Sequence, residues 1–266
     1  MLGKLKEEDF LVLRGPFESG RQAPVSLGGA MIIGIFCQAL MVFLSFFIGQ
    51  YSILPFTDIL VAFHLWITVI IVALTIVYSF PYFYKKHQKS QYILSIFMTH
   101  NLATFSMYIL PLLTMGAKLP EDYIIEHIMS YIYITLALGG ILFIVTCIRF
   151  YILLMKGKYR KGSSRDKLRG KFEGRINMAS IGAGSIGVAV SVQYLMRNID
   201  FMDNEVLFIV AIGLLIFYTM IFILPEQLVI LYCKFRFKSF NFRSNGKYLT
   251  LIPLQETKED EKTYFK

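Results

Sequence analysis

Six apolar stretches set the pattern along the chain, at about 28–49, 57–82, 91–116, 123–155, 176–196 and 206–233. A hydrocarbon core about 30 Å thick needs roughly 20 residues of helix at 1.5 Å per residue, and each stretch is long enough. From Leu27 to Gln50 there is no charge at all. Polar residues collect in a leader over 1–27, a loop over 156–175 and a tail over 234–266. The pattern predicts an all-α polytopic membrane protein. Its six transmembrane helices fill 28–233, and its connections are too short for a separate soluble domain.

Composition narrows this further. The chain is 56% hydrophobic and only 17% charged, against about 25% charged for a soluble domain. A soluble globule, an acidic disordered chain and a small disulfide scaffold are excluded. Cys37, Cys147 and Cys233 all fall inside apolar stretches and read as small buried hydrophobes rather than a disulfide framework.

Charge adds orientation. The net charge is +9, and 24 of the 27 Lys and Arg residues lie in 1–27, 83–90, 156–175 and 234–266. Only Lys118 and Arg197 lie in the alternate loops, and Arg149 lies inside the fourth stretch. The positive-inside rule then predicts both termini in the cytoplasm. The expected partners of this charge are the bilayer and its anionic headgroups. Nucleic acid is not expected, because the basic residues are divided among short loops beside hydrophobic spans. The plasma membrane of a bacterium is the expected location.

Two entry segments resemble each other. Before the first stretch the chain reads Leu13-Arg14-Gly15-Pro16-Phe17-Glu18-Ser19-Gly20-Arg21. Before the fifth it reads Leu168-Arg169-Gly170-Lys171-Phe172-Glu173-Gly174-Arg175. The match continues into the helices, where Ser26-Leu27-Gly28-Gly29-Ala30 aligns with Ser180-Ile181-Gly182-Ala183-Gly184. This is the sign of a parallel internal repeat of helices 1–2 and 5–6, or of two independent helix entries with one local role. Arg14, Phe17, Glu18 and Arg21, with Arg169, Phe172, Glu173 and Arg175, are the candidate elbow and docking residues. Arg and Glu at helical spacing can pair, and each Phe can anchor at headgroup level.

Small residues suggest which helices pack. Ser26, Ala30 and Gly34 are four apart, as are Ala179, Ala183 and Gly187. Such rows let helix backbones approach in lipid, so spans one and five are expected at the bundle centre. Gly182-Ala183-Gly184-Ser185-Ile186-Gly187 also spells a dinucleotide-binding pattern. That pattern requires a strand before it and a helix opening at it, and neither context exists here. No cofactor is expected.

Candidate chemistry rests on polar residues inside the spans. Ionisable groups there cost about 2.5–3.5 kcal/mol at the helix centre on insertion scales. His100 and Asn101, with Thr99, Thr104 and Ser106 nearby, form the most polar mid-membrane patch. They either line a hydrated path or bond across to neighbouring helices. Arg149 and Glu226 lie about 10 Å and about 12 Å inside the end of their helices, so they can pair or snorkel. His64 stands alone among apolar residues. No His, Cys or carboxylate set has metal-ligand spacing, and no nucleophile–base set is present, so no enzyme is expected.

Tyrosines cluster near span ends as an interfacial belt. In the tail, alternation on both sides of Asn245-Gly246 predicts a hairpin, followed by a charged end. The functional expectation is a non-enzymatic membrane protein that binds partners. Such a protein would be an accessory subunit of a secretion or envelope system, or an immunity-type protein against a membrane-active toxin. The alternative is a small-solute or ion transporter using polar residues of spans three, four and six.

Overall fold

The structure is a computed structural model describing residues 2–118, 121–167, 205–243 and 249–250. The described helices are α1 (Gly15–Glu18), α2 (Pro24–Gly49), α3 (Thr57–Ser79), α4 (Pro81–Lys86), α5 (Gln88–His100), α6 (Ser106–Lys118), α7 (Glu121–Met155) and α8 (Glu205–Arg236). A π-helical turn, Asn101–Phe105, joins α5 to α6. Five segments are long and apolar enough to cross a membrane: Pro24–Gly49, Thr57–Ser79, Gln88–Lys118, His127–Met155 and Phe208–Arg236. The protein is membrane-embedded and, among the described residues, helical without strands. The predicted fifth span, 176–196, lies outside the described residues. So do Arg169, Phe172, Glu173 and Arg175 of the second entry segment, and Ala179, Ala183 and Gly187.

Burial in α3 is inverted relative to a soluble helix. Its buried residues are Thr57, His64, Thr68, Ile71 and Thr75, while Ile59 is 72% exposed and Trp66 66%. Hydrocarbon is as good a solvent for Ile and Trp as a protein core, so apolar residues gain little by turning inward. Polar groups gain by meeting each other inside. The same logic orders α2, which buries Gln38 and Ser45 and exposes Phe36, Phe43 and Phe47.

Among the described spans the most deeply buried is Gln88–Lys118; of the two spans that the small-residue rows singled out, only the first is described. Half of the most apolar window of Gln88–Lys118 is buried (50%), against 22% in α2 and α3 and 17% in the α7 and α8 spans. Within α2, Gly34 is buried, but Ser26 and Ala30 of the same row are exposed. Residues four apart drift by about 40° around a helix of 3.6 residues per turn, so a three-member row does not hold one face. The packed face runs instead through Pro24, Gly28, Met31, Gly34, Gln38, Ser45 and Gly49.

Proline shapes the other helices. Pro81 pushes Phe80 into an extended conformation (ψ 138°), ending α3 before the predicted 82 and opening the short α4. Pro111 inside α6 lacks the N–H that would bond the Met107 carbonyl. That carbonyl lies against Gly213 of α8, where an added Cβ would stand 2.6 Å from it.

Leader, connections and tail meet at one end of the bundle. The leader forms 3₁₀ turns at Leu2–Lys4 and Glu7–Arg14 before α1. Arg236 donates to the Leu2 and Gly3 carbonyls at 3.0 and 2.9 Å. Arg160 in the 156–167 loop bonds Asp9 at 2.7 Å, and the Val12 N–H donates to the Tyr159 carbonyl at 2.9 Å. Gln88 exchanges two hydrogen bonds with the Phe242 backbone, at 2.9 and 3.1 Å. Phe10, Leu13, Phe17, Leu154, Tyr159, Cys233 and Phe240 form the resulting core, each 2% exposed or less.

The turn of the predicted hairpin, Asn245-Gly246, lies outside the described residues, and the part of the tail before it differs from the alternating strand expected from residue 234. Helix α8 continues to Arg236, and Lys238–Phe240 is a 3₁₀ turn. The one bridge described is Phe242 opposite Leu249, antiparallel, with the Thr250 N–H donating to the Asn241 carbonyl at 3.0 Å. The aromatic residues at 237, 240 and 242 turn under the leader, where their rings pack against Phe10 and Phe17.

Candidate functional site

The mid-membrane centre is built by three helices that each bring polar residues at helical spacing. Gln38 and Ser45 lie two turns apart on α2. His64, Thr68 and Thr75 lie on the inner face of α3. Asn101 opens the π-helical turn, and Ser106 follows it. The turn closes with the Ser106 N–H bonding the Asn101 carbonyl. A π turn inserts one extra residue, which rotates the chain before and after it relative to one another.

Two hydrogen-bonded clusters result. In the first, His64 Nδ1 lies 2.9 Å from Ser45 Oγ, and His64 Nε2 lies 3.0 Å from Ser106 Oγ. A neutral imidazole has one N–H, so the ring donates to one serine and accepts from the other. The Asn101 amide donates to Thr68 Oγ1 at 2.8 Å and to Gln38 Oε1 at 3.2 Å. His64, Ser45, Gln38 and Ser106 are all 1% exposed or less. Two buried atoms of the set, Gln38 Nε2 and Asn101 Oδ1, have no hydrogen-bond partner.

In the second cluster His100, the last residue of α5, reaches both the π turn and α8. Its Nδ1 lies 2.9 Å from Thr104 Oγ1 and its Nε2 lies 2.9 Å from Gln227 Oε1. The amide oxygen only accepts, so Nε2 carries the proton and Nδ1 accepts from the threonine hydroxyl. His100 and Asn101 are neighbours in the chain, yet they tie the central helix to opposite sides of the bundle.

Two cavities adjoin these groups. One, of about 650 Å³, lies between α3 and α7 over the central helix. Its walls are apolar, from Phe56 and Met129 to Ile71, with His100, Asn101 and Thr104 as its polar margin. The other, of about 510 Å³, lies between the terminus-side ends of α7 and α8. Arg149, Arg165, Tyr159 and Glu226 line it, with Phe222 and Pro225. Among the described residues the two cavities share no lining residue. Arg149 and Glu226 therefore reach one cavity, as their equal depth suggested. They do not form an ion pair with each other: the guanidinium lies 5.7 Å over the Phe222 ring.

The elbow residues divide. Phe17 is 1% exposed and packs against the rings of Tyr92, Phe240 and Phe242, so it is a core residue and not a headgroup anchor. Arg14 is also buried; its Nη2 donates to the Thr250 carbonyl at 3.4 Å and its Nε lies 3.6 Å from Glu18. Burial lowers its pKa from the usual arginine value, and Glu18 and Glu7 oppose the shift. Glu18 and Arg21 stay at the surface. The expected Arg–Glu pairing is present, but its cation is interior.

Sequence reasoning passed over Gln38, Ser45, Thr68 and Gln227. The signal for the first three was present as polar residues at seven- and four-residue spacing on otherwise apolar helices. Gln227 sits beside Glu226, whose charge drew attention away from it. Among the described residues no group of His, Cys, Asp and Glu is arranged to hold a metal ion. No protein family model, curated protein or solved structure matches the chain.

Proposed function

We propose that this chain is a non-enzymatic membrane protein that acts by binding partners, with both termini in the cytoplasm and the bundle in a bacterial plasma membrane. An accessory role in a secretion or envelope assembly, or neutralisation of a membrane-active toxin, fits this class. The observation that carries the reading is the folded end formed by leader, loops and tail. It keeps Phe17 and Arg14 for its own core and turns Arg21, Lys85, Lys86, Lys156 and Lys161 outward. A surface of cations on a rigid aromatic core suits an acidic protein face or anionic headgroups.

The test is photo-crosslinking in native membranes from positions 21 and 161. One discrete adduct of the same mass from both positions, competed by the purified partner, supports the reading. Absence of any adduct, together with solute flux in proteoliposomes, overturns it. Transport is the second reading. It is favoured by the unpartnered Gln38 Nε2 and Asn101 Oδ1 in mid-membrane, and opposed by the separation, among the described residues, of the cavity beside Asn101 from that of Glu226.

A further inference from the structure

A third cavity, of about 340 Å³, lies between the junction of α4 with α5 and the last turn of α8. The spans stop here: Thr57–Ser79 ends, Gln88–Lys118 begins and Phe208–Arg236 ends, so the cavity sits at headgroup depth. Tyr82 and Phe235 beside it are 67% and 56% exposed, as rings at the interface are. Its walls carry Lys86, His87 and Lys89 and, among the described residues, no carboxylate. None of the three makes an ion pair among the described residues. Lys86 Nζ lies 4.4 Å over the Tyr82 ring and Lys89 Nζ 5.0 Å over the Phe235 ring. An aromatic face holds an ammonium without neutralising it. Gln88, Lys89 and Ser90 open α5, where N–H groups have no intrahelical acceptor. No side chain caps this end, and its first turn holds no acid. Lysines at the positive end of a helix are repelled by it unless an anion from outside answers both. Asn241 closes the tail side. Its amide donates to the Lys234 and Phe237 carbonyls at 2.8 and 3.1 Å, and its Oδ1, a buried acceptor, has no hydrogen-bond partner.

We propose that this cavity binds the headgroup of a phospholipid that carries a hydroxyl and no ammonium, the phosphatidylglycerol class. The lipid phosphate meets Lys86, Lys89 and the first turn of α5, a hydroxyl of the headgroup glycerol donates to Asn241 Oδ1, and the acyl chains leave past Phe235 and Tyr82. Charge complementarity selects this ligand class. Ammonium groups and free helix N–H groups together favour a phosphate, which accepts from both. A choline or ethanolamine headgroup brings a further cation among the lysines and finds no carboxylate there. A simple methyl ester of the lipid phosphate satisfies the lysines and leaves Asn241 Oδ1 without a donor. A free phosphate gains nothing from the exposed rings at the cavity mouth. The site shares Lys86 with the cationic surface of the partner-binding reading but rests on membrane placement alone. Its test reads lipid retention, so either reading can fail while the other stands.

Native mass spectrometry of the full-length protein in detergent, with phosphatidylglycerol, phosphatidylcholine or phosphatidylmethanol added, tests it. The expected result is retention of phosphatidylglycerol over phosphatidylcholine by about tenfold, the size of one charge-assisted hydrogen bond. Over phosphatidylmethanol, which is anionic but has no headgroup hydroxyl, the preference should be about threefold, the size of a neutral hydrogen bond. Lys89→Gln should bring phosphatidylglycerol down towards the retention of phosphatidylcholine. Lys158→Gln, at an exposed loop lysine outside the cavity, should leave it unchanged. The three lipids are compared on the unaltered protein, so the proposal stays testable if a variant does not accumulate. Equal retention of phosphatidylglycerol and either other lipid, an unchanged preference in Lys89→Gln, an equal loss in both lysine variants, or displacement of the lipid by millimolar inorganic phosphate overturns it.

Discussion

The ammonium of Lys234 lies 4.4 Å over the centre of the Phe17 ring and donates to the Phe240 carbonyl at 3.1 Å. Both side chains are interior, at 2% and 1% exposure, and they join the leader to the last turn of α8 across more than 200 residues. Arginines and lysines flanking a span ordinarily report topology by facing water or headgroups. This lysine instead holds an aromatic core together.

Phe17→Ala should therefore cost about 3–5 kcal/mol, as for other buried phenylalanines. Phe36→Ala, which removes a ring 72% exposed on α2, should change stability far less. Thermal unfolding in detergent, followed by near-ultraviolet circular dichroism, distinguishes the two. Equal losses would show that Phe17 is not a core residue.

The centre of the bundle should respond more gently. Asn101→Leu removes the donors to Thr68 and Gln38, and polar contacts between membrane helices average about 0.6 kcal/mol with a maximum near 1.7. A loss of about 1 kcal/mol is expected in a reversible unfolding assay. A Gln38→Leu, Asn101→Leu double variant should lose less than the sum of the single losses, because each single change strands the other amide.

Gly213 tests the contact between α8 and the proline of α6. A Cβ there would meet Pro111 Cγ and stand 2.6 Å from the Met107 carbonyl, which is backbone and cannot move aside. Gly213→Ala should cost about 1–3 kcal/mol by overpacking. Gly34→Ala meets the Met98 thioether at 2.6 Å, and a flexible methionine can give, so its cost should be smaller. Gly140→Ala meets nothing within 4 Å and should be neutral. The order Gly213, Gly34, Gly140 in melting temperature is the checkable outcome.

Orientation is tested by single cysteines placed on a background without Cys37, Cys147 and Cys233. Cysteines at Lys4 and Lys161 should resist an impermeant maleimide in intact cells and react in inverted vesicles. A cysteine at Tyr51, which is 63% exposed at the other end of α2, should do the reverse.

Amino-acid order alone determined where the chain enters and leaves the hydrocarbon. An unsatisfied peptide group in lipid costs several kcal/mol, so long apolar helical runs are obligatory and visible in one dimension. The five described spans lie where hydropathy placed them, with ends moved by a few residues at features such as Pro81. The polar patch at 100–101 and the shared depth of Arg149 and Glu226 were legible for the same reason, because charge and amide groups are conspicuous in an apolar run. Tertiary structure decided everything that depends on helix rotation. It made Gln88–Lys118 the central helix, set Ser45 and Ser106 on either side of His64, and turned Phe17 inward over Lys234. It also brought Arg149 and Glu226 to one cavity without pairing them. Lipid and protein interior are nearly equivalent solvents for an apolar side chain, so hydropathy carries almost no information on which face of a membrane helix meets its neighbours. That choice is made by a few polar bonds and close glycine contacts between residues far apart in the chain.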